Sequence, residues 1–263
     1  MKFKKTIFSV FAALLSVSFI INIIAVNDKA ISWYCTRNKD HRQPTAAPEL
    51  KVVEQYGGYY IDKVHGDESE DKVVYLTFDA GYENGNVEKI LDVLREEDVK
   101  GAFFILGNLI TKNTELVKRM AEEGHTVCNH TNRHKDMTSV KNIEEFKSEL
   151  DSLESLYKEY TGYEMSKYYR PPEGKFNETS MKYAYELGYK TVFWSFAYAD
   201  WDNSNQMSAE DAMKKITDNI HNGAVILLHP TSATNAEIMD DVIKELKAQG
   251  FRFGTLDELT AQY

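Results

Sequence analysis

Cysteine is nearly missing from this chain: its 263 residues hold two, Cys35 and Cys128. One sits near the N-terminal segment and the other in an apolar run that reads as a buried strand. Burial alone explains Cys128, so no Cys35–Cys128 disulfide is expected, and so few thiols leave the redox compartment open. A basic stripe is also missing outside the N-terminus, and the net charge is −10. That balance argues against a nucleic-acid partner and gives the body no pull toward an anionic membrane or polymer. No internal repeat or low-complexity tract stands out. Nor is there a Gly-rich dinucleotide fingerprint: Asp79-Ala80-Gly81-Tyr82 after the first strand lacks the second and third glycines, which weakens a Rossmann reading.

What is present begins at the N-terminus. Met1-Lys2-Phe3-Lys4-Lys5 is basic, and Ile7 to Val26 is uncharged and almost wholly apolar. About 20 such residues match a membrane span better than the shorter core of a signal peptide. Lysines on the leading side predict that end inside and the body outside. Ala25-Val26-Asn27 is a poor cleavage site, so residues 1–26 are expected to be an uncleaved anchor, with a removed signal as the alternative. Either way the body is expected to work outside the cytoplasmic membrane. Residues 27–70 read as an irregular stem, and Trp33, Tyr56, Tyr59 and Tyr60 predict that part of it packs on the domain.

From residue 71 to 263 the pattern becomes regular. Apolar runs at 73–78, 102–106, 125–129, 168–170, 189–195, 224–228 and 251–253 read as strands. Helical periodicity fills 86–98, 111–123, 142–160, 177–187, 208–221 and 235–249. Continuous apolar strands separated by helices predict a parallel sheet covered by helices. The fold class is therefore α/β, a (β/α) barrel of about seven units, with an open doubly wound sheet as the alternative.

Polar residues collect where these strands end. Asp79 follows the first, His130 the third and Arg170 the fourth; Asp200-Trp201 comes shortly after the fifth and His229 after the sixth. In a parallel barrel these tips share one rim, where barrel enzymes keep their active sites. His130 and His134 are four apart, and on a helical turn they would share a face able to hold one divalent cation. A carboxylate to take a proton from water, a histidine to protonate a leaving group and an arginine to orient the carboxylate complete what metal-assisted amide or ester hydrolysis needs. Bland roles compete: Asp79 could cap a helix, although Asn86 is better placed for that, Arg170 could be a surface ion pair, and His229 a satisfied core histidine. His41, His65, His125 and His221 lack such partners and are read as structural.

These residues carry a resemblance. Thr77-Phe78-Asp79, His130-Thr131-x-x-His134, Arg170-Pro171-Pro172-x-Gly174-x-Phe176, Asp200-Trp201 and Leu227-Leu228-His229 stand in the order of the polysaccharide deacetylases, the NodB-homology family (carbohydrate esterase family 4). The match runs from about 72 to 260. Thr77 to Gly85, Phe193-Trp194-Ser195, Asn235-Ala236-Glu237 and the Trp33 segment look most like the muramic-acid deacetylases of endospore formers, which make the muramic δ-lactam of spore cortex peptidoglycan. The resemblance implies a distorted (β/α) barrel. It implies Asp79 as general base, His229 as general acid, Arg170 pairing with the base and Asp200 orienting the acid. His130 and His134 would hold a divalent metal, zinc first, with cobalt, manganese or magnesium as alternatives. The backbone N–H of Glu173 would face the oxyanion. Tyr82, Asn84 and Trp201 are candidates for the substrate groove.

The chain departs from the family pattern at two motif positions. Ala80 stands where most members have a second aspartate ligand, which predicts a weaker, more water-rich metal site. Ala197 replaces the first aspartate of an Asp-x-x-Asp-Trp motif, while Asp200 is kept. Glu173 is also unusual at its position; it, or a water held by Asn84, could partly replace the lost ligand, although a solvent-facing Glu173 is the preferred reading. The expected function is removal of acetyl from N-acetylmuramic acid in peptidoglycan, by a monomer acting on glycan strands after an amidase has removed the peptides. Deacetylation of N-acetylglucosamine in another wall or surface glycan is the first alternative. A non-catalytic glycan-binding homologue is the second.

Overall fold

The computed structural model describes residues 28–261, so the expected anchor or signal segment at 1–26 lies outside the described residues. In chain order the elements are β1 (Ile31–Ser32), α1 (Lys51–Gln55), β2 (Gly58–Tyr59), β3 (Lys72–Ala80), α2 (Asn86–Glu96), β4 (Ala102–Ile105), α3 (Gly107–Lys112), α4 (Thr114–Glu122) and β5 (Thr126–Asn129). They continue with α5 (Ile143–Thr161), β6 (Tyr168–Tyr169), β7 (Lys175–Phe176), α6 (Glu178–Glu186), β8 (Lys190–Val192), α7 (Ala209–Thr217), β9 (Ala224–Leu228), α8 (Ala233–Ala248), β10 (Phe251–Phe253) and α9 (Leu256–Thr260). Among the described residues no helix is long and apolar enough to cross a membrane.

The main sheet is parallel throughout. β3 pairs with β9 along one edge and with β4 and β10 along the other, and β4, β5, β6, β8 and β2 follow in order. A parallel bridge from Phe196 to Ile226 then ties the chain after β8 back to β9, so the sheet curls into a distorted barrel. Alternation along β3 explains its two faces. Val74, Leu76, Phe78 and Ala80 pack in the large core under the helices, with Leu91, Leu94 and Ile243. Val73 and Tyr75 point into the barrel with Phe104, Cys128 and Val225. Thr77 and Asp79 continue that inward row, which is how a carboxylate comes to stand at the barrel mouth.

Residues 28–70 are more ordered than an irregular stem. β2 adds a strand to the main sheet beside β8, and β1 pairs antiparallel with β7. Trp33 is buried, with ring centroids 4.7 Å from both Tyr60 and Phe193, and its indole N–H donates to the Trp194 carbonyl at 2.7 Å. Cys35 and Cys128 are free thiols, and burial pushes the Cys128 thiol up to about 12. Two local expectations are corrected. The helix read across 111–123 is two, because Asn113 leaves helical geometry (φ −136°, ψ 48°). Asn86 does not cap α2. Gly85, at φ 89°, takes that place, and the buried Asn86 amide instead donates to the Thr231 carbonyl at 3.0 Å.

Candidate active site

Asp79, His130, His134, Glu173, Trp201 and His229 all line one cleft of about 690 Å³ at the C-terminal ends of the strands. Arg170 is fully buried beneath it. Its guanidinium donates to Asp79 Oδ1 at 2.7 Å, to Thr77 Oγ1 at 2.9 Å, and to the Val192 and Phe193 carbonyls at 2.9 and 3.2 Å. It also lies 4.1 Å from the centre of the Phe104 ring. The surface ion-pair alternative for Arg170 therefore does not hold. Thr77 has a second task, donating to the Ile226 carbonyl at 2.7 Å. Burial opposes charge on Asp79, but Arg170 above all, then His130 and His229, hold its carboxyl below the usual range. Asp79 is thus a largely buried, ionised carboxylate with Oδ2 left for the cleft.

His130 directly follows β5, and its Nδ1–H donates to the Arg170 carbonyl at 2.8 Å. That bond turns Nε2 toward Asp79, whose Oδ2 is 3.5 Å away. Burial outweighs the nearby Asp79 charge and lowers His130 to about 4, leaving a neutral imidazole. The helical turn suggested by the spacing is not what brings His134 alongside. Residues 130–134 form a loop in which Thr131 and His134 take left-handed φ values of 69° and 57°. Such geometry costs on the order of 1–3 kcal/mol per residue and needs outside support. Glu149 on α5 supplies it by accepting the backbone N–H groups of Asn132 and Arg133 at 3.1 and 3.2 Å. Asn129 Oδ1 accepts the Thr131 N–H at 2.9 Å. The two imidazoles end 5.1 Å apart, edge to face.

The donor set can be tested against a divalent ion. Among the described residues no group of three His, Cys, Asp or Glu side chains gathers as a ready-made metal cage. The buried Ala80 offers no ligand atom. The two imidazoles, that of His130 with its ring orientation fixed through Nδ1, nevertheless have the chemistry of metal ligands, one of them backed by an outer hydrogen bond. They fit an ion held by two protein ligands and otherwise open to water or substrate.

The opposite chemistry gathers around His229. Its Nδ1 lies 2.7 Å from Asp200 Oδ1, and its backbone N–H donates to Asp200 Oδ2 at 2.8 Å. Burial works against a proton here, but the hydrogen bond and charge of Asp200 prevail and raise His229 above its ordinary value. The two groups are thus pushed in opposite directions, Asp79 toward its charged form and His229 toward holding its proton. Trp201 is 61 % exposed, its ring 6.3 Å from His229, and Tyr82 is 44 % exposed with its hydroxyl accepting from Asn203. Both line the cleft. Asn84 does not: its amide donates to the carbonyl of Thr231, which does line the cleft, at 2.8 Å. Glu173 follows Pro171-Pro172 with φ 59°, and Gly174 behind it has φ 61° and no room for a Cβ, which would stand 2.5 Å from Trp194.

Sequence reading did not identify the work of Glu149, Tyr198 or Asn235. Asn235 lies two residues inside α8, fully buried, with its amide on Asp200. A polar residue amid the apolar positions of that helix was the available signal.

Comparison with known proteins agrees with the fold. The model for the polysaccharide deacetylase family matches residues 66–192. The peptidoglycan-N-acetylmuramic acid deacetylase PdaA of Bacillus subtilis is 41% identical over 237 residues, covering 89% of this chain and 88% of that protein. Its solved structure, described as a family 4 carbohydrate esterase, superposes with a TM-score of 0.83 at 39% identity, covering 90% of this chain and 99% of that one. A family 4 carbohydrate esterase from Bacillus anthracis gives a TM-score of 0.73 at 34% identity, covering 91% and 100%. Distorted barrel, cleft and relatives agree: the chain belongs to the polysaccharide deacetylases of carbohydrate esterase family 4.

Proposed function

We propose that this hydrolase is a peptidoglycan N-deacetylase that removes acetyl from N-acetylmuramic acid, leading to muramic δ-lactam in spore cortex. The observation that carries the reaction is one cleft lined by Asp79 and His229, the first paired with buried Arg170 and the second with buried Asp200. The choice of sugar is supported by the Bacillus subtilis relative. Its match covers 89% of this chain. A peptidoglycan-N-acetylglucosamine deacetylase of Bacillus cereus, at 35% identity, covers 71%.

A divalent ion held by His130 and His134, zinc first, would supply Lewis acidity to the amide carbonyl. The chain's own groups do the proton work. Asp79 takes a proton from the attacking water while Arg170 keeps the carboxylate ionised and aimed. The oxygen that gains charge at the tetrahedral centre faces the backbone N–H of Glu173. His229, held through Nδ1, gives its Nε2 proton to the departing nitrogen. The C–N bond breaks to leave acetate and a free amine. On muramic acid that amine can attack the sugar's own lactyl carboxyl and close the lactam with loss of water, an intramolecular step favoured by proximity. A stem peptide on the lactyl group would block closure, so the substrate is strands already stripped by an amidase. The N-terminal apolar segment would tether the monomeric enzyme outside the cytoplasmic membrane.

Mass spectrometry of muramidase digests tests this. Loss of acetyl from muramic acid in peptide-free strands, followed by loss of water, is expected. Loss confined to glucosamine would replace the reading with the glucosamine alternative. No loss with any divalent metal would leave a glycan-binding homologue.

A further inference from the structure

We propose that Asn235, with Tyr198 behind it, is a positioning residue for the proton donor, holding Asp200 and His229 in one fixed arrangement. This rests on the reading of His229 as the acid. The side chain of Asp200 is buried and takes three donors. His229 Nδ1 meets Oδ1 at 2.7 Å, while the His229 backbone N–H at 2.8 Å and Asn235 Nδ2 at 2.6 Å both meet Oδ2. The same Asn235 amide donates to the His229 carbonyl at 3.1 Å. One planar group therefore grips both the carboxylate and the backbone of the histidine it serves.

Chemistry fixes which way this amide faces. An ionised carboxylate can only accept, so the NH₂ must face Asp200 and the oxygen must face away. That oxygen accepts from the Tyr198 hydroxyl. Asp200 and the His229 carbonyl, both acceptors, thus select the orientation of the amide, and Tyr198 secures it by donating to the oxygen that faces away. Asn235 itself is anchored at the start of α8, where its backbone N–H donates to Ser232 Oγ at 3.1 Å. The order of action is Tyr198 on Asn235, Asn235 on Asp200, and Asp200 on His229. Besides Asp200, the charged groups acting on His229 are Asp79 and Arg170, and neither touches Asn235 in the described hydrogen bonds.

The test compares Asn235→Leu and Tyr198→Phe with the unaltered protein by nuclear magnetic resonance of the ligand-free enzyme, together with steady-state kinetics. In Asn235→Leu the downfield Nδ1–H signal of His229 is expected to be lost to exchange. The proton affinity of His229 is expected to fall about tenfold, one pKa unit. A kcat loss of about tenfold with KM within about twofold follows, part of the 10²–10⁴-fold that a positioned acid supplies. Tyr198→Phe is expected to move the same readouts in the same direction by less, and it serves if Asn235→Leu does not fold. An unmoved or raised His229 proton affinity with the Nδ1–H signal intact would overturn the proposal, even if thermal stability dropped. The acid reading is tested apart from this. Full deacetylation by His229→Gln would remove it, whereas the resonance measurements stand without any substrate.

Discussion

Replacing Arg170 with Met removes the cation on which the buried carboxylate of Asp79 depends. The arginine is fully buried and the Asp79 side chain is 10 % exposed, so water from the cleft can make good only part of the loss. Deleting one member of a buried pair costs about 3–5 kcal/mol, because the other charge is left uncompensated. The Val192 and Phe193 carbonyls lose a donor as well. For a domain of this size roughly 2–4 °C of Tm accompany each kcal/mol, so Arg170→Met should melt about 6–20 °C lower at pH 7. The loss should depend on pH in a definite direction. Asp79 is held below its ordinary value in the folded protein, so its share of stability is present above the unfolded value of about 3.9 and is lost as pH falls through the folded value. In the variant, only His130 and His229 are left to oppose burial, and the same group rises. The gap in Tm between the two proteins should therefore widen as pH rises from about 4 and narrow on acidification. The variant's acid limb of activity should move to higher pH, since Asp79 must be ionised to accept a proton. Adding Asp79→Asn to Arg170→Met should recover part of the lost stability. Circular dichroism melts across pH, with and without the second substitution, check this. A Tm within 2 °C of the parent at pH 7, or a double variant less stable than the single one, would refute the buried-pair reasoning.

Three further substitutions probe other parts of the account. Asp200→Asn removes the group that raises His229 and leaves the burial that lowers it, so the basic limb of the kcat profile should shift to lower pH with kcat reduced. Glu149→Ala frees two backbone N–H groups of the 130–134 loop, at about 1–3 kcal/mol; calorimetric titration should show weaker zinc binding, and unchanged affinity would mean the loop holds its shape without α5. Trp33→Ala should cost about 3–5 kcal/mol in denaturant unfolding, because Trp33 fills the contact among Tyr60, Phe193 and Gly174; a loss under about 1 kcal/mol would mean that residues 28–70 are not part of the cooperative unit.

The legible parts of the sequence were those with strong local periodicity. β9 and β10 stand where their apolar runs lie, and strand order alone brought Asp79, His130 and His229 to one cleft, with Arg170 beneath Asp79. What could not be read has physical causes. β2 is two residues long and has no pattern of its own; its place is set by β8 and by the packing of Trp33 and Tyr60. The spacing of His130 and His134 suggests a helical turn, yet a left-handed loop held by Glu149 brings the rings together, and such a tertiary support leaves no local signature. Asn84 reads as a groove residue from its motif, but the Thr231 carbonyl claims its amide. Asn235 shows the converse: a residue of bland type whose role comes from what α8 packs against.

The most direct test of the central claim is acetate release from peptide-free muramic acid strands by the metal-loaded enzyme, measured alongside Asp79→Asn and His229→Gln. The parent enzyme should release one acetate per muramic acid converted, and each variant should be slower by about 10²-fold or more. Acetate release at the parent rate by either variant would contradict the assignment of this cleft as the place where the proton is taken and returned.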